Sequence, residues 1–398
     1  MVIASRTPAT REVAGEPALE LSPAALRGRF AGDFEPQRWI YWVDAFGSAA
    51  LGWTAFILSG SLSGAASALA LAVATFALYR AVLFIHEVAH LRAGAVPGFE
   101  IAWNLLIGIP LGAPSVMYVG SHADHHKRSR YGTSEDPEYE AIAQWSPVRI
   151  VASTLTMVLL PAALAVRWGV LGPLSRLIPP MRRFVVQSLS TLVINPAYKR
   201  QAARGRAARR WLACEVGGAV YFWAAVFAVA SGRLSPAWVG RWYVVGCGIL
   251  VVNHLRTLAA HRYEACGDGL DVVGQLADSV NLGRSPLTAL VAPVGLRYHG
   301  LHHLLPAVPY HRLGRIHRQL LAELPPDSPY RATQRATVVG ALGDLLGRAR
   351  RHGHAFASVP VETVLAAASP CGDDSLPAQV RSRAPLPDPH HSAPLDPR

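Results

Sequence analysis

Apolar runs close to the length of a bilayer crossing recur along this chain, and they limit its fold more than any other feature. They extend from about Phe46 to Leu58, Ala65 to Ile85, Trp211 to Ala230 and Trp238 to Leu258. A helix crossing the roughly 30 Å hydrocarbon core needs about 20 predominantly apolar residues. The first run is short by that measure, and Trp39, Tyr41 and Trp42 extend it as an interfacial aromatic belt. Turn-prone stretches at Ser59 to Gly64 and Ser231 to Ala237 join the runs in pairs. The expected architecture is therefore an all-α membrane protein built on two transmembrane helical hairpins, about four spans in all. A composition 51% hydrophobic and only 16% charged agrees, because soluble domains carry about a quarter charged residues.

The formal charge of +12 follows from 38 Lys and Arg against 26 Asp and Glu. Much of the excess lies between the two hairpins, where the arginines and lysine of residues 176–210 mark a cytoplasmic loop by the positive-inside rule. The basic balance thus needs no nucleic-acid partner. The implied location is an integral membrane protein of a bacterial inner membrane, with both hairpins returning to the cytoplasm. Two further apolar stretches, Ile101 to Val119 and Ile150 to Leu171, are interrupted by Pro110, Pro114 and Pro161. Either would upset that parity if it crossed, so both are expected as in-plane or re-entrant segments. Residues 1–38 read as a cytoplasmic N-terminal segment, 39–355 as an integral-membrane domain with a cytoplasmic helical cap, and 356–398 as a mostly disordered tail rich in Pro, Ser and Asp. Helical patterning is expected from about Leu313 to Leu324 and Thr333 to Arg351. The four cysteines are scattered without a CxxC pair, so no thiolate metal site is indicated.

Histidine spacing carries the chemistry. HxxxH occurs at His86 and His90, HxxHH at His122, His125 and His126, and HxxHH again at His299, His302 and His303. Residues three or four apart on a helix project from neighbouring faces, so one HxxHH box can serve two adjacent metal ions. A continuous helix from Ala65 to Arg92 would be about 42 Å long and would hold His86 and His90 clear of the lipid. A single histidine on an apolar face is more often a hydrogen-bonded core residue, but three recurring boxes are not coincidence. Eight imidazoles without cysteine are too many for one tetrahedral zinc and suit two higher-coordinate transition metals, iron if dioxygen is used. His261, at the end of the fourth span, is a further candidate ligand, with Thr257 and Asn253 one and two turns below it as supporting groups. His254 points off that face. Glu87 and Asp124 are candidate acceptors that hold imidazole tautomers; the competing reading makes each a solvated charge. His311 and His317 are expected in surface or packing roles.

Read alone, HEVAH at His86 to His90 is also HExxH, the zinc-protease signature in which Glu87 is the general base. That reading needs a third ligand such as Asp268 or Asp271 and leaves six box histidines unexplained. A metal-binding membrane protein without turnover, such as a transporter or sensor, is a more distant alternative.

Taken together, the boxes resemble those of the membrane fatty acid desaturase family. NLLIGIPLGAPSVMYVGSHADHH, Asn104 to His126, is similar to the stretch leading into that family's second box, and DPEY at Asp136 to Tyr139 follows as it often does there. YHGLHHLLPAVPYHRLGRIHRQL, Tyr298 to Leu320, is similar to the third box with its downstream elements. The resemblance covers roughly Trp39 to Leu324. It implies two non-haem iron ions held by the eight box histidines with His261, O2 as co-substrate, and removal of two hydrogens from an acyl chain taken from the membrane. Two electrons must come from an external donor such as ferredoxin, since the chain has no flavin fingerprint, haem motif or iron-sulfur cysteines. A third box that begins with His299 rather than glutamine, and the lack of HPGG, argue against a front-end desaturase. The same ligands would also serve a hydroxylase or ketolase acting on a lipid, sterol or carotenoid.

Overall fold

Serine followed by proline opens much of the helical structure. Ser22, Ser146, Ser235 and Ser285 each accept a hydrogen bond from a backbone N–H in the first turn, and Pro23, Pro147, Pro236 and Pro286 occupy the position that needs no donor. The computed structural model describes residues 21–357 apart from 193 and 266, with side chains as far as 352. The first twenty residues and the expected disordered tail from 358 onward lie outside the described residues.

The chain is mostly helical, and its first long elements form the expected hairpin. Arg38–Ser61 and Gly64–Val82 pack along their lengths, and Pro236–Leu258 packs on Gly64–Val82. Small residues make this possible. Ala45, Ala49, Gly52, Ala55 and Ser59 recur every three or four positions on the buried face of Arg38–Ser61 and meet Ala74 and Leu78 across the pair. Such close backbone approach is how helices associate where lipid removes the hydrophobic driving force. A Cβ on Gly52 would lie 2.6 Å from Leu78 Cγ, and one on Gly248 would lie 2.6 Å from Thr75 Cγ2.

Among the described residues, three helices are long and apolar enough to cross a bilayer: Gly64–His90, Pro147–Ser175 and Gly205–Ala230. This differs from the two-hairpin expectation in both directions. Pro161, expected to break the run around Ile150 to Leu171, instead sits in the first turn of Leu160–Val166 after a 3-10 turn, so the helical path continues. Arg38–Ser61 and Pro236–Leu258 have the length, 24 and 23 residues, but polar residues such as Asp44 in the first and Arg241, Asn253, His254 and Arg256 in the second dilute their hydropathy. The Ile101 to Val119 stretch forms only the short apolar helix Phe99–Gly108 before turning irregular. The helix expected from Ala65 to Arg92 runs from Gly64 to His90, with Leu83 in helical conformation where Gly64–Val82 and Phe84–His90 meet.

The non-spanning part is built around the boxes. Leu26 and Phe30, from before the first long helix, share a core with Leu301, Leu304, Ile316 and Leu320. Tyr131, Tyr139, Tyr263 and Leu258 form a second core with Leu345 of Val338–Ala357. Tyr310–Glu323 and Val338–Ala357 fulfil the two helical expectations downstream, and a short parallel pair, Asn281–Leu282 with Gln334–Arg335, ties the two regions together.

Gly52→Val should lower the thermal unfolding midpoint in detergent through overpacking against Leu78, a cost of about 1–3 kcal/mol. Gly47→Ala, where an added Cβ meets nothing within 4 Å, should leave the midpoint unchanged or raise it slightly.

Candidate metal centre

Each box is delivered by a local device. His86 and His90 lie one turn apart on Phe84–His90. The second box rides on the five-residue helix Ser121–His125, entered through Gly120 at φ +92, a conformation that costs glycine least. The approach to it is pinned by Asn104, whose Oδ1 accepts from Ser115 N at 2.7 Å and whose Nδ2 donates to Ser115 Oγ at 2.8 Å. The third box occupies His299–Leu304. There Asn281 accepts from Leu301 N at 3.1 Å and donates to Thr333 Oγ1 at 2.7 Å, and a Cβ on Gly300 would meet Asn281 Nδ2 at 3.0 Å. His261 follows Pro236–Leu258 and is bridged to Ser279.

These devices bring nine imidazoles into one cage. His86, His90, His122 and His302 form one group of four, and His125, His261, His299 and His303 another, with the available ring nitrogens of each group within 4.8 Å of one another. Both HxxHH boxes are divided between the groups, His122 from His125 and His302 from His299 and His303. His126 touches both, its Nε2 3.2 Å from His122 Nε2 and 3.0 Å from His302 Nε2 and its ring 4.5 Å from that of His303. Seven of the nine are buried, and His90 and His126 are half-buried.

The donor set fits metal ions. His299 Nε2 lies 2.8 Å from His261 Nε2 and 3.2 Å from His303 Nε2, so atoms that carry lone pairs in the neutral rings converge on common points. His86 Nδ1 and Nε2, His90 Nε2, His125 Nε2 and His299 Nδ1 are buried with no hydrogen-bond partner. A buried polar atom without a partner costs about 1–3 kcal/mol, and a cation at each group would satisfy His90 Nε2, His125 Nε2 and one nitrogen of His86, each ring giving one donor atom.

Behind the cage, a layer of carboxylates and hydroxyls faces the outer nitrogens. His122 Nδ1 lies 2.7 Å from Glu138 Oε1 and 2.8 Å from the Tyr118 hydroxyl. His125 Nδ1 lies 2.9 Å from Asp136 Oδ1, and His303 Nδ1 lies 3.2 Å from Gln275 Oε1. His261 Nδ1 is 2.8 Å from the Tyr131 hydroxyl, which itself donates to Asp278 Oδ2. Such partners fix the tautomer and aim Nε2 inward. Burial, reinforced by neighbouring imidazoles, holds His122, His126, His302 and His303 well below the ordinary histidine pKa. The same causes act at His299, where Arg256 adds to the effect. At His125 burial opposes the charge, yet Asp136 outweighs it and the pKa is raised. Burial pushes Glu138 up to about 7. Burial acts the same way on Asp278, but His261 and its other partners hold it below the usual carboxylate range.

The expected supporting residues fall elsewhere. Asp124 pairs with Lys127 and Arg130 and accepts from Tyr198, away from any imidazole. Glu87 accepts from the Tyr41 hydroxyl at 2.5 Å and from Tyr310 N at 3.2 Å, and its carboxylate is 3.9 Å from His86 Nδ1, beyond a hydrogen bond. Asn253 and Thr257 are bound to Arg256 rather than to His261. His254 hydrogen-bonds with Ser153, His311 Nε2 accepts from Gln37 N, and His317 packs with Tyr330. Sequence reasoning missed Asp136, Glu138, Gln275, Asp278 and the tyrosines. Asp136 and Glu138 lie within DPEY, ten and twelve residues past the second box, where an acidic pair was available as a signal; Gln275 and Asp278 belong to no motif.

Three bilayer-length apolar helices among the described residues, with a caged imidazole cluster that could hold metal, make this an integral membrane protein by class. The family model described as fatty acid desaturase matches residues 62–334. A ceramide hydroxylase of Caulobacter vibrioides (strain NA1000 / CB15N) is 38% identical over 318 residues, covering 79% of this chain and 90% of the relative. The chain belongs to the fatty acid desaturase family. That family is of the non-haem diiron type, and its members are oxidoreductases acting on lipids.

Asp278→Asn should weaken metal retention during chelator titration by about 10–100-fold, the usual cost of losing such a partner. Asp124→Asn should leave retention unchanged, with bound iron measured by elemental analysis in both cases.

Proposed function

We propose that the chain is a membrane lipid hydroxylase acting on a ceramide-type lipid at a histidine-bound pair of irons. The observation that carries this reading is the 38% identity to a ceramide hydroxylase across 90% of that relative's length, joined to a cage whose two groups of four match a two-metal centre. The bound irons would supply the oxidising chemistry of O2 and two electrons: one oxygen atom enters a C–H bond as hydroxyl and the other leaves as water. His86, His90, His122 and His302 would hold one iron and His125, His261, His299 and His303 the other, with His126 available to either. The chain's own groups supply neutral donors, aim them through Asp136, Glu138, Gln275 and the Tyr131–Asp278 pair, and keep bulk water from the buried face. The protease alternative finds little support, because Glu87 is held by Tyr41 and Tyr310 and the neighbours of His86 and His90 are His122 and His302.

Desaturation of an acyl chain is the second reading, favoured by the family match. Lipid mass spectrometry of cells that express the chain and contain ceramide separates the two. Hydroxylation should give ceramides heavier by one oxygen and absent from the His302→Ala strain; products lighter by two hydrogens would replace this reading with desaturation.

The Arg-rich 176–210 segment supports placing the histidine face in the cytoplasm. Electrons would reach it from an external carrier such as ferredoxin. A cavity of about 510 Å³ opens beside His90 and Glu87, lined by Arg27 and by the paired Arg92 and Glu35, and the net charge of +12 suits an acidic carrier. Turnover should then fall several-fold as ionic strength rises from about 0.01 to 0.15 M, where screening shortens from about 30 to 8 Å. A salt-insensitive rate with carrier below saturation would count against an electrostatically guided donor.

A further inference from the structure

A second concave surface lies away from the cage. A groove of about 710 Å³ is bounded by the helix Pro179–Ser188 and the first turns of Gly205–Ala230. Arg176, Arg182, Arg183, Arg200 and Arg209 line it, and no acidic residue does. Arg176 and Arg182 hold the buried Glu215 together with Arg167. One carboxylate shared by three guanidinium groups leaves a net +2 at that point. Arg200 is fixed by the Val119 and Ser190 carbonyls and stacks on Trp211. Arg183 and Arg209 are exposed and form no ion pair among the described residues. The groove is thus a preorganised cationic pocket with two unengaged guanidinium groups.

Its surroundings are apolar. Leu177 is 79% and Phe184 57% exposed beside the groove, on the segment connecting two helices of bilayer-crossing length. On Gly205–Ala230, Arg209 heads a stripe of exposed Leu212, Val216, Val220 and Phe227, positions that fall on one helical face. From Leu212 to Phe227 the stripe covers about 22 Å at 1.5 Å per residue, more than one leaflet of a roughly 30 Å core. A positive pocket continuous with an acyl-length apolar track has the shape and polarity of a phospholipid. A soluble acidic protein would leave the track and the exposed Phe184 unexplained.

We infer that this groove binds the phosphodiester headgroup of an anionic membrane phospholipid, whose acyl chains lie along the exposed stripe of Gly205–Ala230. The site is separate from the metal cage and does not depend on which lipid the cage acts on.

The test offers phosphatidylglycerol or phosphatidylcholine to the full-length protein in nonionic detergent and reads retained lipid by native mass spectrometry. The wild type should retain one phosphatidylglycerol per chain in clear preference to phosphatidylcholine. Arg183→Ala with Arg209→Ala should weaken that retention about tenfold or more, while the double lysine variant should keep most of it. Equal retention of the two lipids by the wild type would overturn the assignment without reference to any variant. Unchanged retention by the folded double-alanine protein would also overturn it. Displacement of the lipid by an equal concentration of inorganic phosphate would instead make the pocket a site for free anions. If the double variant keeps its lipid but loses carrier-dependent turnover, the surface belongs to an acidic protein and the inference fails.

Discussion

Nine imidazoles withdrawn from water are the constraint on which the rest of this structure depends. Each ring brings two polar nitrogens, and a buried nitrogen without a partner is costly. The protein meets the outer nitrogens with its own groups, Asp136 behind His125, Glu138 and Tyr118 behind His122, Gln275 behind His303 and Tyr131 behind His261. It leaves several inner nitrogens facing each other with nothing to donate to them. Neutral rings arranged in this way repel a proton, as the lowered values of His122, His126, His302 and His303 show, and welcome a metal cation. The short helices around the cage serve that geometry, which explains why a five-residue helix at Ser121–His125 needs a glycine entry and the Asn104–Ser115 clasp to hold its register.

How much of this was legible in the sequence depends on the range of the interaction. The three boxes and His261 could be found because metal ligation imposes spacings of three and four on single helical turns, and the structure gathers all nine side chains in one place. The groups behind them could not be found the same way. Asp278 lies 3.6 Å from His261 Nδ1 and accepts from the Tyr131 hydroxyl, which is more than a hundred residues away in sequence, and no local pattern records such a contact. Glu87 and Asp124 illustrate the reverse error. Both lie within a box, yet sequence proximity did not bring their carboxylates to an imidazole: the backbone turned one toward Tyr41 and the other toward Arg130.

The membrane helices follow a similar division. Hydropathy alone located Gly64–His90 and Gly205–Ala230. It gave no sign that the helical path would continue through Pro161, because a proline is disruptive only inside a helix, and here a preceding 3-10 turn converts its position into a helix start. Conversely, Arg38–Ser61 and Pro236–Leu258 gain their place by packing on Gly64–Val82 through glycine and alanine rather than by apolar content. Small residues contribute little to a hydropathy sum, and their importance appears only once the partner helix is in place.

The division of both HxxHH boxes between the two groups has a consequence for how such a protein can change. Because His122 and His125 share one short helix, as do His299, His302 and His303, the two groups are joined through both HxxHH boxes, while Phe84–His90 serves only the first group and His261 only the second. A deletion, insertion or shift of one helical turn in either box disturbs both positions at once. A descendant that keeps one group and loses the other can be reached through Phe84–His90 or His261, but within the two HxxHH boxes only by replacing individual side chains within intact turns.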